Sequence, residues 1–274
     1  MKRSELLFIG GDKRRLYTEK YLISKGYKTV SYEENPDLFF KKLKNEKSAV
    51  ILPLPFTRDG ENLNIPGSSE KVSIKDFLAC LKKGDKVIGG LLTKDFSAEL
   101  SEIGAIGCEY YCEDLIKENA ELTADAVFTV FSENDIDIFS KKTALLGFGR
   151  TAKALAVRLS QKGIDFSAVA RSESAENNAV SMNYKFVKLN NFTEKIQEFD
   201  IILNTVPALI LDENILRKAK KNVTVVDIAS APFGIEKSVA EKYNVKLIRA
   251  LGLPGKYYPE KAGELIAKKA ESLL

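Results

Sequence analysis

The segment Thr143-Ala144-Leu145-Leu146-Gly147-Phe148-Gly149-Arg150-Thr151-Ala152 reads as a short apolar strand running through a GxGxxA turn into a helix. This is the order needed to hold a dinucleotide pyrophosphate. Gly147 admits the tight turn, Gly149 lets the backbone approach the pyrophosphate, and Ala152 lets the helix pack closely on the strand. Ala152, Leu155, Ala156 and Leu159 recur at i, i+3, i+4 and i+7, so one apolar face meets the sheet. The first N–H groups of the helix, with Arg150 and Thr151 in its first turn, then meet the phosphates at the positive end of the helix dipole. An ordinary glycine turn is the competing explanation, and the agreement of strand, spacing and helix weighs against it.

The next strand, Phe166 to Ala170, ends at Arg171-Ser172. A NAD-binding chain usually has an acid there to accept hydrogen bonds from the ribose hydroxyls, whereas an arginine offers a charge-assisted fork to a 2′-phosphate. NADP(H) is therefore expected over NAD(H), with Glu173 close enough to complicate the choice. Two further polar segments end strands on the ligand-facing edge: Asn204-Thr205-Val206-Pro207 and Asp227-Ile228-Ala229-Ser230. Thr205 and Pro207 are expected on the cofactor, Asn204 and Ser230 on the substrate, and Asp227 as a proton acceptor; capping of strand and helix ends is the alternative. Nearer the start, Ile9-Gly10-Gly11-Asp12-Lys13-Arg14-Arg15 closes a strand and opens a helix, with Asp12 placed to cap it. Arg14 and Arg15 suit the positive end of a helix poorly unless they face an anion. Arg14 is accordingly the candidate for gripping a substrate carboxylate, and Asp12 a second candidate proton acceptor.

The chain contains no histidine, which excludes Ser-His-Asp and Cys-His schemes, imidazole metal ligands and a histidine acid/base. Three cysteines, Cys80, Cys108 and Cys112, form no CxxC pair and are read as reduced structural thiols; no metal is expected. The 42 basic and 38 acidic residues leave a formal charge of +4 spread along the chain, so nucleic acid is not expected as a partner. No apolar run approaches the roughly 20 residues of a membrane helix, and the start Met1-Lys2-Arg3-Ser4 is unlike a secretory signal. A cytoplasmic location is expected.

The elements that position these residues alternate. Short β-branched or apolar runs are separated by amphipathic stretches, which implies an α/β fold with parallel sheets covered by helices. The first series places strands at Leu6–Ile9, Lys28–Ser31, Ala49–Leu52, Lys86–Ile88 and Glu109–Tyr111. Between Pro53 and Gly67, three prolines and two glycines interrupt the pattern, predicting a long functional or mobile loop. The second series places strands at Thr143–Leu146, Phe166–Ala170, Phe186–Leu189, Ile201–Asn204, Val223–Asp227 and Leu247–Ala250. The expected division is a substrate domain over 1–120 and a dinucleotide-binding domain over 121–256, two doubly wound sheets with a cleft between them. A last helix over 257–274 is expected to pack back on the first domain.

In their order and spacing, Gly10-Gly11-Asp12-Lys13-Arg14, Leu52-Pro53, Gly147-Phe148-Gly149-Arg150-Thr151, Ala170-Arg171-Ser172, Asn204-Thr205-Val206-Pro207, Asp227-Ile228-Ala229-Ser230 and Leu253-Pro254-Gly255 resemble the A subunits of the dipicolinate synthases of spore-forming bacteria. The resemblance implies a flavodoxin-like first domain, a Rossmann NADP-binding second domain, and oxidation of a dihydrodipicolinate-type dicarboxylate to pyridine-2,6-dicarboxylate with NADP⁺ as hydride acceptor. It also implies a partner, the flavoprotein-like B subunit, and a place in the sporulating mother cell, with room for self-association. The family pattern has glutamine at Arg15, glycine at Phe233, and lysine then threonine at Glu260 and Lys261. Two other readings are an NADP-dependent dehydrogenase of 2-keto or 2-hydroxy acids, against which the missing histidine counts, and a non-catalytic NADPH-binding subunit.

Overall fold

Among the described residues eleven short strands assort into two sheets, and in each the sequence order is broken at one place. The computed structural model describes residues 5–274; the start read above as unlike a secretory signal, residues 1–4, lies outside them. The strands are β1 (Glu5–Phe8), β2 (Lys28–Ser31), β3 (Ala49–Ile51), β4 (Lys86–Gly89), β5 (Ile106–Glu109), β6 (Thr143–Leu146), β7 (Phe166–Ala170), β8 (Lys185–Lys188), β9 (Ile201–Asn204), β10 (Thr224–Asp227) and β11 (Lys246–Arg249). Every pairing between them is parallel. The first sheet runs β2-β1-β3-β4-β5, the flavodoxin-like order, and the second β11-β10-β9-β6-β7-β8, the Rossmann order. Ligands of such sheets bind outside the carboxyl ends of the strands where the order reverses, here between β1 and β3 and between β6 and β9.

The chain divides into two compact units, one of residues 5–116 with Gly255–Leu274 and the other Lys117–Pro254. Both sheets are apolar on both faces, as parallel sheets covered by helices must be. In the first unit Leu7, Ile9, Phe39, Val50 and Phe77 fill one side, and Leu6, Phe8, Leu22, Ile88 and Tyr110 the other. The second unit buries all four residues of β6. No helix among the described residues is long and apolar enough to cross a membrane.

The helix Pro259–Leu273 lies against the helix Arg14–Ser24. Their backbones approach closely because Gly263 has no side chain: a Cβ there would come 2.5 Å from the Arg14 carbonyl oxygen and 2.7 Å from the Tyr17 Cβ. Thr18 Oγ1, fully buried, closes the contact by hydrogen bonding to the Gly263 carbonyl at 3.0 Å. Gly263→Ala therefore overpacks the seam and destabilises the first unit by about 1 to 3 kcal/mol, read from denaturant melts.

One reading of the sequence is corrected here, and the predicted long loop is found with internal structure. The fifth strand is Ile106–Glu109 rather than Glu109–Tyr111, because Tyr110 turns out of the edge strand to bury its ring against Gly90 and hydrogen bond to the Leu52 carbonyl at 3.1 Å. The proline-rich stretch after β3 is built rather than loose. Antiparallel bridges join Thr57 to Leu63 and Asn62 to Ser73, and Phe56, Leu63 and Val72 sink into the core.

Candidate functional site

At the β6/β9 reversal the glycine turn takes the shape its residues require. Gly147 has φ 94°, and a Cβ there would meet Thr205 Oγ1 at 2.5 Å and Val206 Cγ2 at 2.8 Å, so both backbone and packing demand glycine. Gly149 differs. Its φ is −77°, open to any residue, and a Cβ there would meet no protein atom within 4 Å. Nothing in the protein itself asks for glycine at this position. The turn leads into the helix Arg150–Gln161, with Gly149 as N-cap and no side chain bonding the first turn. Ala152, Leu155, Ala156 and Leu159 are all buried against the sheet. Arg150 and Thr151 stand in the first turn, Arg150 exposed and Thr151 half-buried. These features fit a dinucleotide: a backbone cradle that a Cβ would fill, at a helix start whose N–H groups await an anion.

Thr205 belongs to the same turn. Its hydroxyl and backbone N–H both hydrogen bond to the Leu146 carbonyl, at 2.8 and 3.1 Å, tying the end of β9 to the end of β6. Pro207 is exposed two residues on. Arg171 is exposed at the end of β7, and Ser172 caps the helix Glu173–Ser181 by accepting from the Ala175 N–H at 3.2 Å. No acid precedes Arg171 in β7, and Glu173 also stands exposed.

Two expectations at this edge fail. Asp227 is fully buried, and its oxygens accept from Asn204 Nδ2 (2.8 Å), Gly234 N (2.9 Å), Ala229 N (3.3 Å) and Arg249 Nη1 (2.9 Å). A carboxylate with no exposed surface and four donors cannot collect a substrate proton. Asn204, also fully buried, spends its amide on Asp227 and on the Val206 N–H and carbonyl, leaving nothing for a substrate. Both residues shape loops. Ser230 is exposed at the start of the turn that returns through Phe233 N–H to its own carbonyl at 3.0 Å.

At the β1/β3 reversal, Gly10 and Gly11 have φ 75° and 98° and press against Pro53; Gly11 N–H bonds to the Asn64 carbonyl at 2.8 Å. The helix begins one residue later than expected, with Lys13 at the cap position, yet Asp12 still accepts from the Arg14 N–H at 3.0 Å. Asp12 also holds the Arg14 guanidinium two-handed, at 2.8 Å to Nε and 2.9 Å to Nη2, while Nη2 donates to the Leu54 carbonyl at 2.7 Å. Arg14 is 12% exposed and Asp12 33%, so this pair meets solvent on the aspartate side. Gly255 lies directly over it: a Cβ there would fall 2.6 Å from Asp12 Oδ2 and 3.1 Å from Arg14 Nε. Arg15 borders the same cavity as Asp12 and Arg14, but its head is engaged by Glu19, Ser31 and Glu33. Burial raises the pKa of Tyr110 well above its ordinary value, against a lowering by the nearby Arg14 charge, so the phenol stays protonated.

The three cysteines are unpaired and partly exposed. A hydrogen bond from the Leu115 N–H leads the causes that lower the Cys112 thiol, with Lys269 assisting. Among the described residues no group of three or more Cys, Asp or Glu is arranged to hold a metal ion. The sequence reading passed over Arg249 and Gly234 and met Phe233 only as a departure from the family pattern. The one available signal was that Asp227 and Arg249 close their strands at matching positions, after Val225-Val226 and Leu247-Ile248.

Residues 5–111 match the family model of the N-terminal domain of the dipicolinate synthase A subunit, and residues 131–250 match that of shikimate / quinate 5-dehydrogenase. A curated relative, the dipicolinate synthase A subunit of Bacillus subtilis (strain 168), is 29% identical over 148 residues, covering 54% of this chain and 50% of the relative. That match thus spans about half the length of the relative. Among solved structures, the dipicolinate synthase A subunit from Bacillus halodurans superposes with a TM-score of 0.81 at 21% identity, covering 98% of this chain and 97% of that one. The A chain of dipicolinate synthase from Bacillus subtilis gives 0.80 at 22%, covering 100% and 96%. The same fold is found in a transhydrogenase from Sinorhizobium meliloti, with a TM-score of 0.64 at 16% identity over 98% of this chain and 92% of that one.

Proposed function

We propose that the chain oxidises a dihydrodipicolinate-type ring to pyridine-2,6-dicarboxylate with NADP⁺ as hydride acceptor, a reading supported by the match of residues 5–111 to the N-terminal domain of dipicolinate synthase A subunits. The observation that carries the redox half of this reading is Gly149, whose glycine answers to no protein atom and stands at the open start of a helix. A bound NADP⁺ supplies the hydride acceptor. Gly147, Gly149, Arg150 and Thr151 would hold its pyrophosphate, with Ala152 packing the helix start against the sheet; Thr205 and Pro207 follow on the β9 side, and Arg171 with Ser172 would take the 2′-phosphate.

The reaction removes one hydride and one proton from the ring, and gain of aromaticity drives it. A modest base is therefore sufficient. With histidine absent, Asp227 buried and Tyr110 held protonated, the remaining group of the sequence reading is Asp12, or a water beside it. Arg14, oriented by Asp12 and the Leu54 carbonyl, offers Nη1 to a substrate carboxylate; Ser230 is the second substrate contact. The family name implies a further subunit, which we assign as the partner in a sporulating cell.

The test is a titration of the purified chain with NADPH and NADH. Wild type binds NADPH more tightly. Arg171→Asp weakens NADPH by roughly 10- to 100-fold, since a phosphate partner becomes a repelling charge, while NADH changes little. Equal losses for the two cofactors would remove Arg171 from the 2′-phosphate, and no binding of either would end the dinucleotide reading. Conversion of dihydrodipicolinate with NADP⁺, with and without a flavoprotein partner, then separates catalysis from a purely NADPH-binding role.

A further inference from the structure

We propose that Arg249 is a positioning residue for the dinucleotide site, acting through the buried Asp227 carboxylate on the Thr205–Val206 segment that packs on the Gly147 turn. The inference rests on the dinucleotide reading given above.

Register creates the network. Asn204, Asp227 and Arg249 are the last residues of β9, β10 and β11, and each is the in-register partner of its neighbour. Their side chains therefore line up across three strand ends at the ligand-facing edge of the sheet. From Arg249 the contacts run inward without a gap. Arg249 Nη1 donates to Asp227 at 2.9 Å, and Asp227 accepts the Asn204 amide at 2.8 Å. The Asn204 amide donates to the Val206 carbonyl at 3.0 Å and accepts from the Val206 N–H at 3.2 Å. Val206 Cγ2 and Thr205 Oγ1 are the atoms that a Cβ on Gly147 would strike.

A second branch fixes the neighbouring loop. Asp227 also accepts from the Gly234 N–H, and the Gly234 carbonyl accepts from the N–H groups of Ile210 and Leu211. Gly234 has to be glycine, because a Cβ would fall inside the Asn204 amide. Arg249 Nη2 donates to the Ile235 carbonyl at 2.5 Å, and the guanidinium lies 4.0 Å from the centre of the Phe233 ring. Phe233 has φ 70°, a left-handed backbone that costs a residue with a side chain, and the sequence resemblance implied glycine there. The ring's contact with Arg249 offsets that cost. One guanidinium thus holds the loop after β10 directly and, through Asp227 and Asn204, the Thr205–Val206 segment that packs on Gly147.

A buried ion pair contributes little stability relative to an apolar replacement, whereas removal of one partner strands a buried charge. Stability and positioning can therefore be separated. Arg249→Met is expected to lower both the melting temperature and NADPH affinity, the latter at least tenfold. Adding Asp227→Asn removes the stranded charge and raises the melting temperature above that of the single variant, short of wild type because its NH2 meets an N–H that the carboxylate had accepted; affinity does not recover, because the fork that spans Asp227, Ile235 and Phe233 is still missing. Arg249→Lys keeps the charge, loses the fork and recovers affinity only in part. Cofactor affinity is read by fluorescence titration and folding by circular dichroism. If the double variant binds NADPH as tightly as wild type, Arg249 is a structural partner only and the proposal falls. If wild type itself binds no dinucleotide, the reading of the site fails and takes this inference with it.

Discussion

Gly149→Val abolishes dinucleotide binding while leaving the protein folded, with NADPH affinity falling on the order of 100-fold or more in a fluorescence titration. Two observations separate this glycine from its neighbour. At Gly147 a side chain meets Thr205 and Val206 and the backbone is left-handed, so substitution there damages the fold before it reaches the cofactor. At Gly149 the backbone is ordinary and the surrounding protein leaves a Cβ untouched within 4 Å. The structural cost of valine is confined to the helix start, where a branched residue is a poorer N-cap than glycine by about 1 kcal/mol. That corresponds to a shift of only a few degrees in melting temperature. A variant with wild-type circular dichroism and wild-type NADPH affinity would show that no pyrophosphate lies over Gly149.

Arg14→Ala lowers kcat/KM for the dicarboxylate by roughly 10- to 150-fold, mainly through KM, because a charge-assisted hydrogen bond worth about 1.5 to 3 kcal/mol is lost. The structure adds a reason for the effect to be large. Without Arg14, the Asp12 carboxylate remains with no cation to face and repels the substrate it had helped to hold. NADPH affinity is unchanged, since the glycine turn belongs to the other unit. Lysine rescues only in part, since one ammonium cannot reproduce the two-point grip on Asp12 together with the bond to Leu54. Asp12→Asn divides its two assigned roles. Loss of turnover marks Asp12 as the proton acceptor, whereas a rise in KM alone marks it as the residue that orients Arg14. Wild-type kinetics in the alanine variant would make this pair a local clasp under Gly255 and move the carboxylate site elsewhere.

By itself the sequence determined the features whose signals lie within a dozen residues. Parallel α/β sheets followed from short apolar runs alternating with amphipathic stretches. The GxGxxA turn and the buried face of its helix followed from glycine spacing and a 3.6-residue period, and Arg171 at the end of β7 from simple adjacency. These are local because a turn, a cap and one face of a helix each involve neighbours in the chain. What only the tertiary structure decided depends on residues brought together from afar. Asp227 and Asn204 read as free polar ends of strands until the register set them beside each other and beside Arg249, 22 residues further on, which converted a candidate base into a buried anchor. Arg14 read as an open cation until the fold closed Asp12, the Leu54 carbonyl and Gly255 around it. The fifth strand slipped by three residues because Tyr110 gains more from burial against Gly90 than from staying on an exposed edge. In each case the side chain's chemistry was visible in the sequence, but its availability depended on partners that strand pairing and burial alone could supply.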